Sequence, residues 1–296
     1  MERKEFGKLV AALRQEMGWT QFDLAQHIHQ EAAVVSQIER GIKRNLDAPL
    51  LVRLADLFHL STLERRSFFL ASTGIVDSQI TRPPSAGAGA DAGPEAVLDR
   101  LVKVIGSLPV PACLLDDYMD VVALNYIAFA FFQMPLEMMA EARNKPAGMN
   151  VIRMVFGRDL MARTHVQTNW EQVATSAMRS FREASLCRRA DPHYQYLLRA
   201  FRDPEEYPLF DRFWRIASSM EADRDSALER FEFDHINFGH LNYTAVKTLC
   251  MTSEGELHIN QFIPTDAPTK AVFDRLAERN GAGVIRGAPW PVKSMP

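Results

Sequence analysis

The stretch FDHINFGHLNY holds Asp234, His235 and His240 close together, and His258 follows further along the chain. A carboxylate with two or three imidazoles is the raw material of a metal site or of a general base. The spacing argues against both. His235 and His240 are five positions apart, so on one strand the two rings leave opposite faces, and only a loop between them would bring them together. His27 and His29 read as helix-end residues rather than ligands. Cys113, Cys187 and Cys250 are odd in number, far apart and outside any CxxC pair, which fits buried thiols in a reducing compartment better than a disulfide or zinc framework. The chain has no GxGxxG, no P-loop GxxxxGKS/T, no GxSxG and no HExxH, so nucleotide binding and hydrolase chemistry have no local support. The expectation is a protein that is not an enzyme and carries no metal and no cofactor.

What remains is chemistry of recognition, and composition limits where it sits. A chain of 296 residues suits two domains. Its apolar fraction of 47% and charged fraction of 24% are ordinary for a globular protein. No apolar run approaches the roughly 18 residues of a membrane span, and the start, MERKEF, has no apolar segment behind it, so a cytoplasmic protein without a membrane partner is expected. The net charge of -3 argues against coating nucleic acid by bulk attraction. Residues 1 to 60 carry eight basic side chains (Arg3, Lys4, Lys8, Arg14, Arg40, Lys43, Arg44, Arg53) and eight acidic ones (Glu2, Glu5, Glu16, Asp23, Glu31, Glu39, Asp47, Asp56), a balance of zero. Any attraction for a polyanion is therefore local.

Residues 20–41, TQFDLAQHIHQEAAVVSQIERG, read as two short helices with a tight turn. Thr20 and Asp23 have the spacing of a capping box. Leu24 and Ile28 share a face at i, i+4, Val35 and Ile38 at i, i+3, and Gly41 suits a left-handed C-terminal cap. Downstream, Leu51, Leu54, Ala55 and Phe58, then Leu63, Phe69 and Leu70, continue the helical period, with Ser61 or Thr62 as N-cap and Gly74 as the end.

These residues resemble the XRE-type, phage-repressor-like helix-turn-helix regulators. The matching pieces are Thr20-Gln21, Leu24-Ala25, Ser36 to Gly41 and Leu51 to Ala55, and the likeness covers about residues 5 to 70. The resemblance implies that the second helix, about Glu31 to Arg40, enters the major groove of double-stranded DNA while Gln21 holds a phosphate. It places Ala32, Ala33, Ser36 and Gln37 at base edges, puts Arg40, Lys43 and Arg44 near the backbone, and pairs Arg14 with Glu39 as a buried structural ion pair. Ala32 and Ala33 can touch only a thymine methyl, which leaves Gln37 to read a base, adenine above all. The chain departs from the family at His29, where glycine is usual, and at Glu31, where serine or threonine commonly caps the recognition helix.

Residues 82–94, RPPSAGAGADAGP, have three prolines, three glycines and four alanines and no large apolar side chain, which is a linker composition. Beyond it, Leu98, Leu101, Val102 and Ile105 make a helix face. Cys113 to Leu115 and Val121 to Leu124 then read as strands around an acidic turn, with Asn125 capping a helix and Asn150 capping another. A stripe of Trp170, Val173, Ala174, Ala177, Phe181 and Ala184 marks a long amphipathic helix. Asp191-Pro192 and Asp203-Pro204 each have the form of an N-cap with proline at the first helical position. HLNYTAVKTLCM and ELHINQFIP have strand character and are joined by a hairpin at Gly255. Strands early and late with helices between them imply one mixed sheet.

ACLLDDYMDVVALNYIAFAFF, NVIRMVF, NWEQVA, FWRI and LNYTAVKTL, in this order, resemble the MmyB-like ligand-binding domain, a PAS-like sensor fold found behind XRE-type DNA-binding domains. The resemblance implies a cavity for a small apolar ligand such as a fatty acid, carried as a ligand rather than a cofactor. Phe129, Phe132, Met154, Phe156, Trp170, Phe213, Trp214, Tyr243 and Phe262 are the lining candidates, being large and on faces that look inward. Arg153 and Asn150 are the candidates for a carboxylate head group. An aromatic stripe at helical spacing also packs as plain core, and both readings stand at this point.

The expected architecture is multidomain, an all-α helix-turn-helix domain over residues 1–81, a linker over 82–94, an α+β PAS-like domain over 95–275 and a tail over 276–296. The expected function is a sequence-specific transcription regulator whose partners are double-stranded DNA and a fatty acid-like ligand. It is expected to act as a homodimer, because one recognition helix offers few base contacts and two read half-sites about 34 Å apart. In the alternative, the second domain serves only dimerisation or docking of a protein partner.

Overall fold

The computed structural model describes residues 1–43, 45–73, 93–133, 142, 147–158, 165–219, 229–252 and 254–293. Arg44, Gly74 and residues 82–92 of the linker stretch lie outside the described residues. The chain divides into two compact units, one of Met1–Gly87 with Arg182–Gln195 and Arg215–Ala222, the other of Ala88–Phe181, Tyr196–Trp214 and Asp223–Pro296. Among the described residues no helix is long and apolar enough to cross a membrane.

Among its described residues the first unit carries α1 (Arg3–Glu16), α2 (Gln21–His27), α3 (Ala32–Glu39), α4 (Ala48–Leu57) and α5 (Thr62–Ser72). Their starts follow the local chemistry. Thr20 accepts from the Asp23 amide while the Asp23 carboxylate accepts from the Thr20 amide, and Ser61 and Glu64 repeat this box at α5. Asp47 caps α4 ahead of Pro49. Phe6, Leu9, Val10 and Leu13 of α1 meet Leu24, Ile28, Val35, Ile38, Leu54, Phe58 and Phe68 in one core. Each such side chain, fully removed from water, contributes roughly 1.5–3 kcal/mol. Gly7 lets α1 approach α3: a Cβ there would stand 2.4 Å from the Glu39 carbonyl oxygen.

The second unit carries α6 (Pro94–Ser107), β1 (Ala112–Asp116), β2 (Val121–Asn125), α7 (Tyr126–Phe132), α8 (Val151–Phe156), α9 (Trp170–Ala184), α10 (Pro192–Phe201), α11 (Phe210–Ser219), β3 (Glu229–His235), β4 (Gly239–Thr252), β5 (Gly255–Pro264), α12 (Ala267–Asn280) and β6 (Val284–Arg286). Some residues of α9, α10 and α11 belong to the first unit. The strand order is β3-β4-β5-β1-β2-β6. Every pairing is antiparallel, so the sheet is not mixed as expected. β1 and β2 form one hairpin and β3, β4 and β5 a meander; the chain crosses the sheet from β2 to β3, which puts β5 beside β1, and again from β5 to β6, which pairs with β2 at the other edge. On one face Leu114, Val122, Ala123, Leu257 and Ile259 pack against Leu98 and Ile105 of α6. On the other, Phe231, Tyr243 and Phe262 meet Phe131 of α7 and Phe273 of α12.

Asn125 and Asn150 cap α7 and α8 as their positions imply, at 2.8 Å from the Ala128 amide and 2.9 Å from the Ile152 amide. Asp191-Pro192 opens α10, but Asp203-Pro204 opens only a turn. Asp203 accepts from the Glu205 amide at 2.9 Å, and the next helix waits until Phe210. Pro208 accounts for the delay, since it biases Tyr207 away from helical backbone. Sequence periodicity also misses α12 and β6. Asp266 with Pro268 gives α12 its cap and start, and Val284–Arg286 finds its place only by pairing with β2.

Candidate functional site

In the first unit, α2 and α3 enclose a turn in which His29 takes φ 54°. This is the left-handed conformation that the missing glycine would adopt more readily. Glu31 offers α3 no side-chain cap. The helix ends in a Schellman arrangement: the Ile42 amide bonds the Gln37 carbonyl at 2.9 Å, the Gly41 amide bonds that of Ile38 at 2.9 Å, and Gly41 takes φ 70°. Val35 and Ile38 are buried, so the opposite face of α3 is outward: Ala32, Ala33, Gln37 and Arg40 are exposed and Ser36 is half-buried. Arg40 Nε folds back on the Ser36 carbonyl at 3.2 Å, and Lys43 is half-buried.

Arg14 and Glu39 form the ion pair the resemblance implies, Nε to Oε1 at 2.6 Å, and Arg14 also donates to the Trp19 carbonyl at 2.6 Å. Gln21 joins this group: its Nε2 donates to Glu39 Oε2 at 2.7 Å. Residues 18 apart in sequence carry no local signal of such a bond. Arg53 likewise ties α4 to the turn by donating to the Ile28 carbonyl at 2.5 Å. Arg53 thus holds the turn itself, while Arg14 and Gln21 hold the far end of α3 through Glu39.

The same unit contains a buried charge network. Glu64 is fully buried and accepts from Arg182 Nη2 at 3.1 Å, from Arg189 Nη2 at 2.8 Å and from the Ser61 amide at 2.8 Å. Arg189 reaches Glu16 at 2.6 Å, and Arg182 also bonds the His59 carbonyl and the Ser218 hydroxyl. Burial pushes the Glu64 carboxyl up, but the two guanidiniums outweigh it and hold it below its ordinary range.

In the second unit, the registers align one sheet face. Opposed residues of an antiparallel pair project to the same side. Asn260 faces Cys113 on β1 and Lys247 on β4, His258 faces Leu115 and Leu249, Phe262 faces Ala245, and Tyr243 faces Phe231. One end of this face is aromatic: Tyr243 to Phe262 is 5.1 Å and Tyr243 to Phe231 5.3 Å between ring centroids. The other end is polar, with Lys247, His258 and Asn260. His258 Nε2 and Asn260 Oδ1 are buried and make no hydrogen bond among the described residues. Lys247 Nζ donates to the Ser180 hydroxyl. Burial pushes the Cys113 thiol up to about 12 against the pull of Lys247, leaving it protonated and inert.

The lining candidates fall into two groups. Phe132, Tyr243 and Phe262 gather around Phe131, which touches all three at 5.4 to 6.0 Å. Phe156, Trp170 and Phe213 form a triangle with centroids 5.4 to 5.8 Å apart. Trp214 stacks on Phe210 at 5.6 Å, beside this triangle. Phe129 and Met154 are half-buried. Asn150 is fully buried and donates to the Tyr118 carbonyl at 2.7 Å and to Asp120 at 2.8 Å besides capping α8, so its amide is engaged by the fold. Arg153 is half-buried with Nη1 3.3 Å from the Gly148 carbonyl. Sequence periodicity selected Phe129 and Phe132 and passed over Phe131, because a run of aromatic residues gives a short helix no phase. Lys247 and Asn260 carried no sequence signal, and His258 was weighed only with Asp234, His235 and His240, because strand alternation assigns a face only after the register is known.

Of the residues in FDHINFGHLNY, Asp234 and His240 meet, whereas His235 does not join them. Asp234 and His240 oppose each other on β3 and β4 with Oδ1 and Nδ1 3.0 Å apart, His235 stacks on Phe238, and His258 lies on β5. His235 and His240 therefore occupy two strands of a hairpin rather than one.

A family model described as a helix-turn-helix domain matches residues 5–68. A second, described as the MmyB-like transcription regulator ligand binding domain, matches residues 97–276. Among curated proteins none matches the chain. The two matches coincide with the outward α3 and with the sheet faced by aromatic and polar ends, and both families are regulatory rather than catalytic. The chain belongs to the family of MmyB-like transcription regulators, with a helix-turn-helix domain ahead of its ligand-binding domain.

Proposed function

We propose that this protein is a cytoplasmic, sequence-specific DNA-binding regulator that responds to a fatty acid. In this reading α3 lies in the major groove, Gln37 reads a base, and Ala32 and Ala33 lie against apolar base edges. Ser36, Arg40, Lys43 and Arg44 complete the groove and backbone contacts. Gln21, held by Glu39, contributes from the start of α2. Two chains act together, because one short helix reads too little sequence for specificity.

The observation that carries the ligand reading is the graded sheet face, aromatic at Tyr243 and Phe262 and polar at Lys247 and Asn260. An acyl chain suits the first end and a carboxylate the second. Phe129, Phe132, Met154, Phe156, Trp170, Phe213 and Trp214 supply further apolar surface in the same unit. Lys247 and Arg153 are the cations offered to the head group. Asn150 acts by holding α8 and the Asp120 turn in place. Regulation then requires that the ligand bind the DNA-competent and incompetent states with different affinity.

The test is native mass spectrometry of the delipidated full chain with and without myristate. One bound acyl chain per protomer is expected, weakened in Lys247→Gln or Arg153→Gln. Absence of any adduct would overturn the ligand assignment and leave a second domain that only dimerises or docks a partner.

A further inference from the structure

After β6 the chain runs on against β2. The Gly287 amide donates to the Val122 carbonyl at 2.9 Å and the Ala288 amide to that of Val121 at 2.8 Å, and a Cβ on Gly287 would collide with the Val121 carbonyl oxygen. Just before it, Arg286 pairs with Asp99 of α6, and the Gly283 carbonyl accepts from the Tyr126 amide at 3.1 Å. This segment lies beyond residue 276, where the family match ends. Its last described residue, Lys293, buries its side chain against the turn between β1 and β2. The ammonium pairs with Asp116 Oδ2, donates to Asp120 Oδ2 at 2.9 Å and to the Pro289 carbonyl at 3.1 Å, and stands 5.6 Å from the centre of the Tyr118 ring.

The turn that Lys293 meets also starts α8. Asp116 Oδ1 accepts from the Tyr118 amide at 2.9 Å and the Asp120 amide at 3.1 Å, closing a turn in which Met119 takes φ 59°. That left-handed conformation is costly for a residue with a Cβ and persists where its surroundings hold it. The Met119 carbonyl accepts from the Val151 amide at 3.0 Å. Asp120 Oδ1 accepts from Asn150 Nδ2 at 2.8 Å, and Asn150 Oδ1 accepts from the Ile152 amide at 2.9 Å. Asp120 therefore bonds Lys293 with one oxygen and the N-cap of α8 with the other.

We propose that Lys293 is a positioning residue: it clasps the turn between β1 and β2 and, through Asp120 and Asn150, sets the place of α8 and of its side chains Arg153, Met154 and Phe156. Asp116 and Asp120 are both buried and share one site, where their charges repel unless a cation stands between them. Lys293 is that cation. Burial pushes its ammonium down, but Asp116 and Asp120 outweigh burial and hold it above its ordinary value, so it stays charged. A charge-assisted bond to a buried carboxylate is among the stronger bonds a side chain can make, and here the carboxylate passes it on to a helix start. The effect on a ligand rests on the reading of α8 as part of the ligand site; the clasp itself does not.

The test is hydrogen exchange of the full chain, read by mass spectrometry at the peptide that covers Val151 and Ile152, with a myristate titration beside it. Lys293→Met removes the cation and Lys293→Arg keeps it. Two carboxylates and one ammonium give the cluster a net charge of -1, and a double variant, Asp116→Asn with Lys293→Met, leaves Asp120 alone, again -1. The amide side chain of that double variant can still accept from the Tyr118 and Asp120 amides, so it keeps the comparison valid if Lys293→Met loses its native circular dichroism. Exchange at α8 is expected to be at least about tenfold faster in both variants that lack the cation, with the β3–β4 hairpin unchanged and Lys293→Arg close to wild type. The same two variants should bind myristate more weakly than wild type. Unchanged exchange at α8 in both, or an acceleration spread equally over β3 and β4, would overturn the clasp. Absence of myristate binding by wild type would instead overturn the ligand reading and leave the exchange comparison intact.

Discussion

Glu64→Gln tests the charge network of the helix-turn-helix unit. The glutamine keeps the shape of the side chain and, at the third helical position of the capping box, can still accept from the Ser61 amide. It removes one negative charge from a cluster in which Glu64 and Glu16 balance Arg182 and Arg189, all with side chains at most 9% exposed. Arg182 and Arg189 are then left with a neutral acceptor in place of the carboxylate that each bonds at 3.1 and 2.8 Å. Breaking a buried pair by removing one partner costs roughly 3–5 kcal/mol, because the surviving charge stays desolvated. The neutral acceptor offsets part of this, so a loss of about 2–4 kcal/mol is expected. Urea unfolding of the two proteins, followed by circular dichroism at pH 7, measures it as a lower midpoint at unchanged slope. The pH dependence fixes the sign. The folded pKa of Glu64 is lowered, so its contribution is present above the ordinary carboxylate range, near pH 4.3, and fades as pH falls through the folded value. The gap between wild type and variant must therefore narrow on acidification. Glu5→Gln, in the exposed pair with Lys8, should leave the midpoint unchanged. A Glu64→Gln protein as stable as wild type would refute the claim that Arg182 and Arg189 depend on this carboxylate.

Gln37→Ala should relax the preferred base at one operator position, while Arg44→Ala should reduce the slope of log affinity against log salt by about 0.9 with little change in sequence preference. Selection of binding sites followed by a salt titration compares them, and equal effects of both changes on both quantities would sink the assignment. Phe131→Ala removes the ring that Phe132, Tyr243, Phe262 and Phe273 all pack on, and should cost roughly 3–5 kcal/mol in denaturant unfolding. Gly7→Ala, normally worth up to about 1 kcal/mol in a helix, should instead destabilise, because the added Cβ would meet the Glu39 carbonyl at 2.4 Å. A higher melting temperature for that variant would show that α1 and α3 are not so closely apposed.

Sequence alone settled whatever is decided within a few residues. The capping box at Thr20 and Asp23, the cap at Ser61, the cap at Asn125, the stop at Gly41 and the hairpin at Gly255 all depend on short-range bonds between backbone and a nearby side chain. Apolar periodicity likewise fixed which face of α3 is turned inward, at Val35 and Ile38, and which is left outward. Tertiary structure decided what depends on register and long-range pairing. Whether Asp203 starts a helix or a turn was settled by Pro208 downstream, and the strand Val284–Arg286 exists only because β2 offers it an edge. Gln21 meets Glu39, and Arg189 meets Glu64, across sequence distances at which no periodicity operates. Lys247 and Asn260 stand together for the same reason: a period-two strand gives each residue one of two sides, and only the pairing of β4 with β5 determines which residues share it.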